Sequence, residues 1–159
     1  MILYHGSNVE ITKIDLPMSR PYKDFGKGFY LSADINQAKR MAEQLASLML
    51  DGKPILNKFS FDEKLMTDGS LKVLTFNDYT TEWAEFVLKN RDINVNQPCH
   101  DYDIVFGPIA DDGVTFQLRR YKAGAISLER LVEELKYSRG ITFQYFFGTK
   151  RAISKLKKI

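Results

Sequence analysis

A strand signal that runs directly into a helix signal between Gly28 and Asp51 is the feature that most restricts the fold. Gly28 to Ser32 reads as a short strand. Asp34 follows as a helix cap, with Gln37 three residues later in the position that completes a capping box. Ala38, Met41, Ala42, Leu45, Leu48 and Met49 then recur at helical spacing up to Asp51-Gly52. One strand and one capped helix in so few residues bring both element types into play, and the choice lies between α+β and a doubly wound sheet.

The remaining signals extend this mixture. Ile2 to His5, Ile55 to Phe61, Leu71 to Phe76 and Tyr102 to Ile109 read as strands, the last ending at Gly107-Pro108. Residues 8 to 25, with Pro17 and Pro21, read as a loop. Thr81 opens a short helix in which Trp83, Phe86 and Val87 share a face. Val114, Leu118 and Tyr121 form a helix face closed by Gly124, and Ser127 starts another with Leu128, Leu131, Val132 and Leu135 inward. Ile141 to Phe147 alternates, with Ile141, Phe143, Tyr145 and Phe147 on one side and Thr142, Gln144 and Phe146 on the other. Thr149 caps a last helix carrying Ala152, Ile153 and Leu156. Strands and helices intersperse without strict alternation, so the expectation is an α+β fold.

Length and composition exclude several classes. Residues 1–159 suit a single domain with one core. No apolar run approaches the roughly 20 residues of a membrane span, and the start of the chain lacks the basic and apolar regions of a signal peptide, so a cytoplasmic location is expected. One cysteine, Cys99, and two histidines far apart in sequence suggest neither a disulfide nor a metal site. The net charge of +3 is mild. Cations gather at the end, in Lys150, Arg151, Lys155, Lys157 and Lys158, and read as a solvated helix face with a basic tail or as a contact for an acidic partner.

Two short segments carry the chemistry. In Tyr4-His5-Gly6-Ser7 the glycine leaves its main chain open to a planar ligand, and a carboxamide presents the one donor and one acceptor that a main-chain pair matches. In Gly26-Lys27-Gly28-Phe29-Tyr30 two glycines mark an unusual backbone or a close approach, and the aromatic side chains that follow offer a stacking face. Each segment alone is also compatible with an ordinary strand end or turn.

Together the segments resemble the ADP-ribosyltransferase superfamily, and its poly(ADP-ribose) polymerase-like branch in particular. Leu3-Tyr4-His5-Gly6-Ser7 is similar to that family's first motif, and Gly26-Lys27-Gly28-Phe29-Tyr30-Leu31-Ser32 followed by a helix to its second. Ile141 to Phe147 sits where its third-motif strand belongs. These motifs with Asp103 to Asp111 resemble more narrowly a bacterial family of uncharacterised transferase-like domains, often encoded beside a small partner protein in the manner of toxin–antitoxin pairs. The resemblance implies a split, mostly antiparallel sheet core with flanking helices, and NAD as substrate. It gives His5 the adenosine ribose, the Gly6 main chain the nicotinamide carboxamide, Ser7 the ribose or phosphate side, and Tyr30 the nicotinamide ring. Gly28 belongs to the second motif, and the loop with Arg20 and Lys23 would cover the adenosine end. The sequence departs from the family pattern at Gln144, where a glutamate is usual, at Ala38, where a serine often bonds the carboxamide, and at Met41, where a second ring often stacks. The last two also read as helix core.

The implied activity is mono-ADP-ribosyl transfer to a macromolecular acceptor, protein or nucleic acid, with a small antitoxin-like protein as a further partner. Cleaving the nicotinamide–ribose bond builds an oxocarbenium-like charge, and an amide at 144 bonds a hydroxyl but carries no charge and cannot act as a base. Losing such a contribution costs about 3–4 kcal/mol, a slowing of a few hundredfold. Glu82, Glu85, Asp111 or Asp112 are candidates to substitute, each with a surface or capping role as the alternative. Gln144→Glu is accordingly expected to raise NAD cleavage, and alanine at His5 or Tyr30 to abolish activity with the fold intact. The competing readings are an NAD glycohydrolase, a catalytically silent module binding through the cleft or the Trp83 region, and a nucleic-acid binder using the basic tail.

Overall fold

The computed structural model describes residues 1–137 and 140–159. The strands are β1 (Ile2–Ser7), β2 (Phe29–Leu31), β3 (Ile55–Ser60), β4 (Val73–Thr75), β5 (Ile104–Pro108), β6 (Phe143–Phe147) and β7 (Lys157–Lys158). The helices are α1 (Ile35–Ser47), α2 (Thr81–Arg91), α3 (Asp112–Lys122), α4 (Leu128–Lys136) and the single turn α5 (Lys150–Ile153). The strands form two sheets, ordered β1-β3-β7 and β2-β6-β5-β4. All pairings are antiparallel except β4 with β5. The fold is therefore α+β, with mostly antiparallel sheets and flanking helices.

The two sheets meet at one point. Tyr4 of β1 exchanges both main-chain hydrogen bonds with Ser32, at 2.7 and 2.8 Å. Beyond Tyr4 the strands diverge. Main-chain groups alternate sides along a strand, so the N–H and C=O of Gly6 turn to the same side as those of Tyr4, away from β3 and into the seam between the sheets.

Helix α1 closes one side of this seam. Its buried stripe is Ala38, Ala42 and Ala46, small side chains four residues apart that let the helix backbone approach β1 closely. A Cβ on Gly6 would lie 1.9 Å from the Ala38 carbonyl oxygen, so only glycine fits there. The helix ends at Ser47, earlier than the apolar spacing suggests, and Leu48 and Met49 are exposed. Met41 is 43% exposed and is not helix core. The capping box is half formed: Asp34 Oδ1 accepts from Asn36 N–H, while Asp34 N–H goes to Ser32 Oγ and not to Gln37.

The buried side chains form two clusters, not the one core that the length suggests. One gathers Phe25, Trp83, Val105, Val114, Leu131, Leu135 and Phe146; the other Leu3, Phe29, Phe59, Ile104 and Phe147. Alternation in β6 sends Phe146 to one and Phe147 to the other, so this strand is covered on both faces. Trp83 is fully buried and donates from its indole nitrogen to Pro108 O, which removes it as a recognition surface. The basic end has an exposed helix face at Lys150 and Arg151 of α5, but its tail is a strand. Lys157 and Lys158 pair with Ser60 and Phe59 of β3, Lys158 bonds Glu10, and Arg151 bonds the buried Asp103. Among the described residues no helix is long and apolar enough to cross a membrane.

Candidate functional site

A cleft of about 880 Å³ opens where the sheets diverge. This volume falls in the range of small-molecule and cofactor sites. All the residues singled out in sequence line it: His5, Gly6, Ser7, Arg20, Gly28, Tyr30, Ala38, Met41 and Gln144. They come from β1, the following loop, β2, α1 and β6. None of Glu82, Glu85, Asp111 and Asp112 reaches it. Asp111 caps α3 by accepting from Val114 N–H, and Glu82 lies exposed in the first turn of α2.

His5 is fixed by its neighbours. Its Nδ1 lies 2.8 Å from the Tyr30 main-chain oxygen, and its ring stacks on Phe29 at 4.5 Å between centroids. A carbonyl only accepts, so Nδ1 carries the proton and Nε2 presents a lone pair. Burial lowers the His5 pKa below its ordinary 6.5 despite the Tyr30 bond, and the nearby Lys23 charge lowers it further. The imidazole is neutral at pH 7, and Nε2 is a hydrogen-bond acceptor.

Tyr30 is equally constrained. Its hydroxyl donates to Gly26 O at 2.7 Å and accepts from Phe25 N–H at 3.0 Å. The ring packs edge-on against Phe146, and Lys23 Nζ stands 4.9 Å from its centroid. Burial raises the phenol pKa well above 10.0, so the hydroxyl stays protonated. Gly28 permits the packing beneath, since a Cβ there would fall 2.2 Å from the Phe146 ring. Replacing Tyr30 by alanine would remove loop anchors as well as a stacking face, which corrects the expectation that the fold would be untouched.

The loop between β1 and β2 is pinned at both ends. Asn57 of β3 is buried and bonds Val9 O and Ile11 N–H. At the other end His100 bonds Phe25 O through Nε2 and accepts from Tyr102 N–H through Nδ1. Between the anchors lie Lys13, Arg20 and Lys23, none of them in an ion pair among the described residues. Tyr22 holds a left-handed backbone, φ 61°, which is strained for an aromatic residue. With Asp15 its one acid outside an ion pair among the described residues, the loop lays a net positive charge along the cleft, suited to an anionic ligand.

Sequence reasoning missed two features. Asp24, which is buried, accepts from Arg91 Nε and Nη2 at 2.9 and 2.5 Å through Oδ1. Through Oδ2 it accepts from Ala110 N–H at 3.0 Å and Gln144 Nε2 at 2.9 Å. Asp24 and Arg91 both line the cleft. The signal that could have found Asp24 was Gln144 itself, whose amide hydrogens need a buried acceptor. The second feature is Gln37, whose Oε1 is buried without a hydrogen-bond partner among the described residues, on the cleft wall. Its assignment to a capping box hid it. No cluster of histidine, cysteine and acid side chains among the described residues is arranged to hold a metal ion.

The fold and the site define a two-sheet α+β protein with a cleft of small-molecule size at the seam of its sheets. The chain belongs to a family described as protein of unknown function (DUF3990), whose model matches residues 1–158. No curated protein matches it in sequence.

Proposed function

We propose that the cleft binds NAD and that the protein transfers its ADP-ribosyl group to a macromolecular acceptor, releasing nicotinamide. The observation that carries this reading is the convergence of His5, Tyr30 and Gln144 on one cleft, beside a glycine whose main chain faces the seam of the sheets. The reading accords with the resemblance of the three motifs to the ADP-ribosyltransferase superfamily.

The chemistry follows from the groups present. The nicotinamide of NAD is cationic, and it stacks on Tyr30 where the Lys23 ammonium now stands. Gly6 N–H and C=O take the carboxamide. His5 Nε2 accepts from a hydroxyl of the adenosine ribose, and Gln144 Oε1 accepts from a hydroxyl of the nicotinamide ribose. Lys13 and Arg20 face the diphosphate. The C1′–N bond breaks with its electron pair leaving on nicotinamide, which departs neutral, while C1′ gains oxocarbenium character. The acceptor's nucleophile bonds to C1′ and loses its proton. Fixed orientation of ring and ribose supplies much of the rate.

One observation favours a second reading, binding without turnover. The carboxylate beside Gln144, that of Asp24, is engaged by Arg91, Ala110 and Gln144 and so is not free to act as a base.

Calorimetry with NAD, paired with mass spectrometry of cell extract given isotope-labelled NAD, separates the readings. Transfer gives free nicotinamide and a labelled adduct. Nicotinamide without adduct identifies a glycohydrolase. Binding with neither product identifies a silent module, and no binding removes the whole reading.

A further inference from the structure

Gln144 stands where an acid is expected, yet its setting is not that of a glutamate with one atom exchanged. Its Nε2 donates to Asp24 Oδ2 at 2.9 Å. The other hydrogen bonds to this carboxylate among the described residues also come from donors, namely Arg91 Nε, Arg91 Nη2 and Ala110 N–H. An ionised carboxylate can only accept, so the end of the Gln144 amide that meets it has to be the nitrogen. The amide is planar, so its oxygen is directed away from the Asp24 carboxylate and has no donor among the described residues, and Gln144 lines the cleft.

Asp24 is itself rigidly held. Arg91, the last residue of α2, grips it through two nitrogens and reaches Thr115 with Nη1 at 3.1 Å. Ala110, just beyond β5, fixes the other carboxylate oxygen. The loop before β2, the end of α2 and the end of β5 thus converge on one side chain, which sets one amide.

We propose that Asp24 is a positioning residue that fixes the Gln144 amide with its oxygen toward the cleft, so that position 144 is a dedicated acceptor for a ligand hydroxyl. This rests on the NAD reading only for the identity of that hydroxyl, on the ribose next to nicotinamide. Glutamine is then the residue matched to Asp24. A glutamate at 144 would set two carboxylates at hydrogen-bond distance, where one must hold a proton or both must part. The expectation that Gln144→Glu improves the site is thereby reversed.

The test uses the full chain with Gln144→Glu, Asp24→Asn, and both changes together. The side-chain amide resonance of Gln144, assigned by its loss in Gln144→Glu, is expected to exchange at least tenfold more slowly than a free glutamine amide. Exchange at the free rate overturns the proposal. ADP-ribose and NAD affinities at pH 7 are expected to fall at least tenfold in Gln144→Glu. In the double variant the amide introduced at position 24 donates to the carboxylate introduced at position 144 but loses the bond from Ala110 N–H, so both affinities should rise several-fold above those of Gln144→Glu without reaching wild type. An unimpaired Gln144→Glu, or a folded double variant without rescue, overturns the proposal even if Asp24→Asn fails to fold alone. If wild type binds neither nucleotide, the NAD reading fails, while the amide exchange still decides the positioning role.

Discussion

The Nδ1 of His5 lies 2.8 Å from the main-chain oxygen of Tyr30, so the two sheets are tied by a side chain just past the point where their ladders part. The bond fixes the tautomer and makes Nε2 an acceptor. The pH dependence follows. Burial lowers the pKa of both His5 and His100 below the ordinary 6.5. The unfolded chain then takes up protons near pH 6.5 that the folded chain resists, so stability is complete above that pH and falls as pH drops through it. Urea denaturation at pH 7.5 and 5.5 should give a lower midpoint at 5.5, and a His5→Gln/His100→Gln variant a smaller difference. Affinity for ADP-ribose should hold through pH 6.5 and fall only at lower pH, where the folded His5 with its depressed pKa takes up a proton and the Nε2 acceptor becomes a donor. A pH-independent affinity would detach His5 from the ligand.

Tyr30→Phe separates the anchor from the stacking face. The substitution leaves Phe25 N–H and Gly26 O without the phenol, and losing buried hydrogen bonds of this kind costs about 1–3 kcal/mol. The ring and its contact with Phe146 remain. Chemical denaturation should show the loss, while NAD affinity falls much less than in Tyr30→Leu. Equal affinities in the two variants would mean that no ligand ring rests on this side chain.

The α+β class, the presence and order of most elements, and the motif residues that line the cleft were legible in the sequence because each rests on local signals. Alternation marks β6, Asp34, Ser127 and Thr149 are caps, and Gly6 and Gly28 sit in compact motifs. Asp24 was illegible because its three anchors come from α2, from the second residue after β5 and from β6, and only the fold brings them together. The helix-core alternative for Met41 fails because an apolar stripe cannot show whether it faces core or cleft, and here the alanines alone face the core. The basic tail was misread because Lys157 and Lys158 owe their strand to long-range pairing with β3.

The two motif glycines should respond differently to repair. An alanine at Gly28 would meet the Phe146 ring, so Gly28→Ala should be partly rescued by Phe146→Leu. An alanine at Gly6 would meet the main-chain oxygen of Ala38, which no side-chain change can move. Overpacking of this kind costs about 1–3 kcal/mol or more. Thermal melts of the singles and doubles decide the matter: Gly6→Ala should stay destabilised in combination with Ala38→Gly, and its recovery there would show that α1 can shift.

Gln37 is the remaining unsatisfied group on the cleft wall. Its Oε1 is buried with no partner among the described residues, and an unmade hydrogen bond of this kind costs the free protein about 1–3 kcal/mol. If the cleft takes NAD as proposed, a carboxamide N–H is a donor able to meet it. Gln37→Met keeps the length and removes the orphan acceptor. The variant should melt at a higher temperature than wild type yet bind NAD several-fold more weakly. Selectivity for NAD over its nicotinic acid analogue should fall as well, because a carboxylate offers no donor and suffers no loss when the acceptor goes. A variant that gains stability without losing either affinity or selectivity would assign Gln37 to the protein's own packing and leave the carboxamide to Gly6 alone.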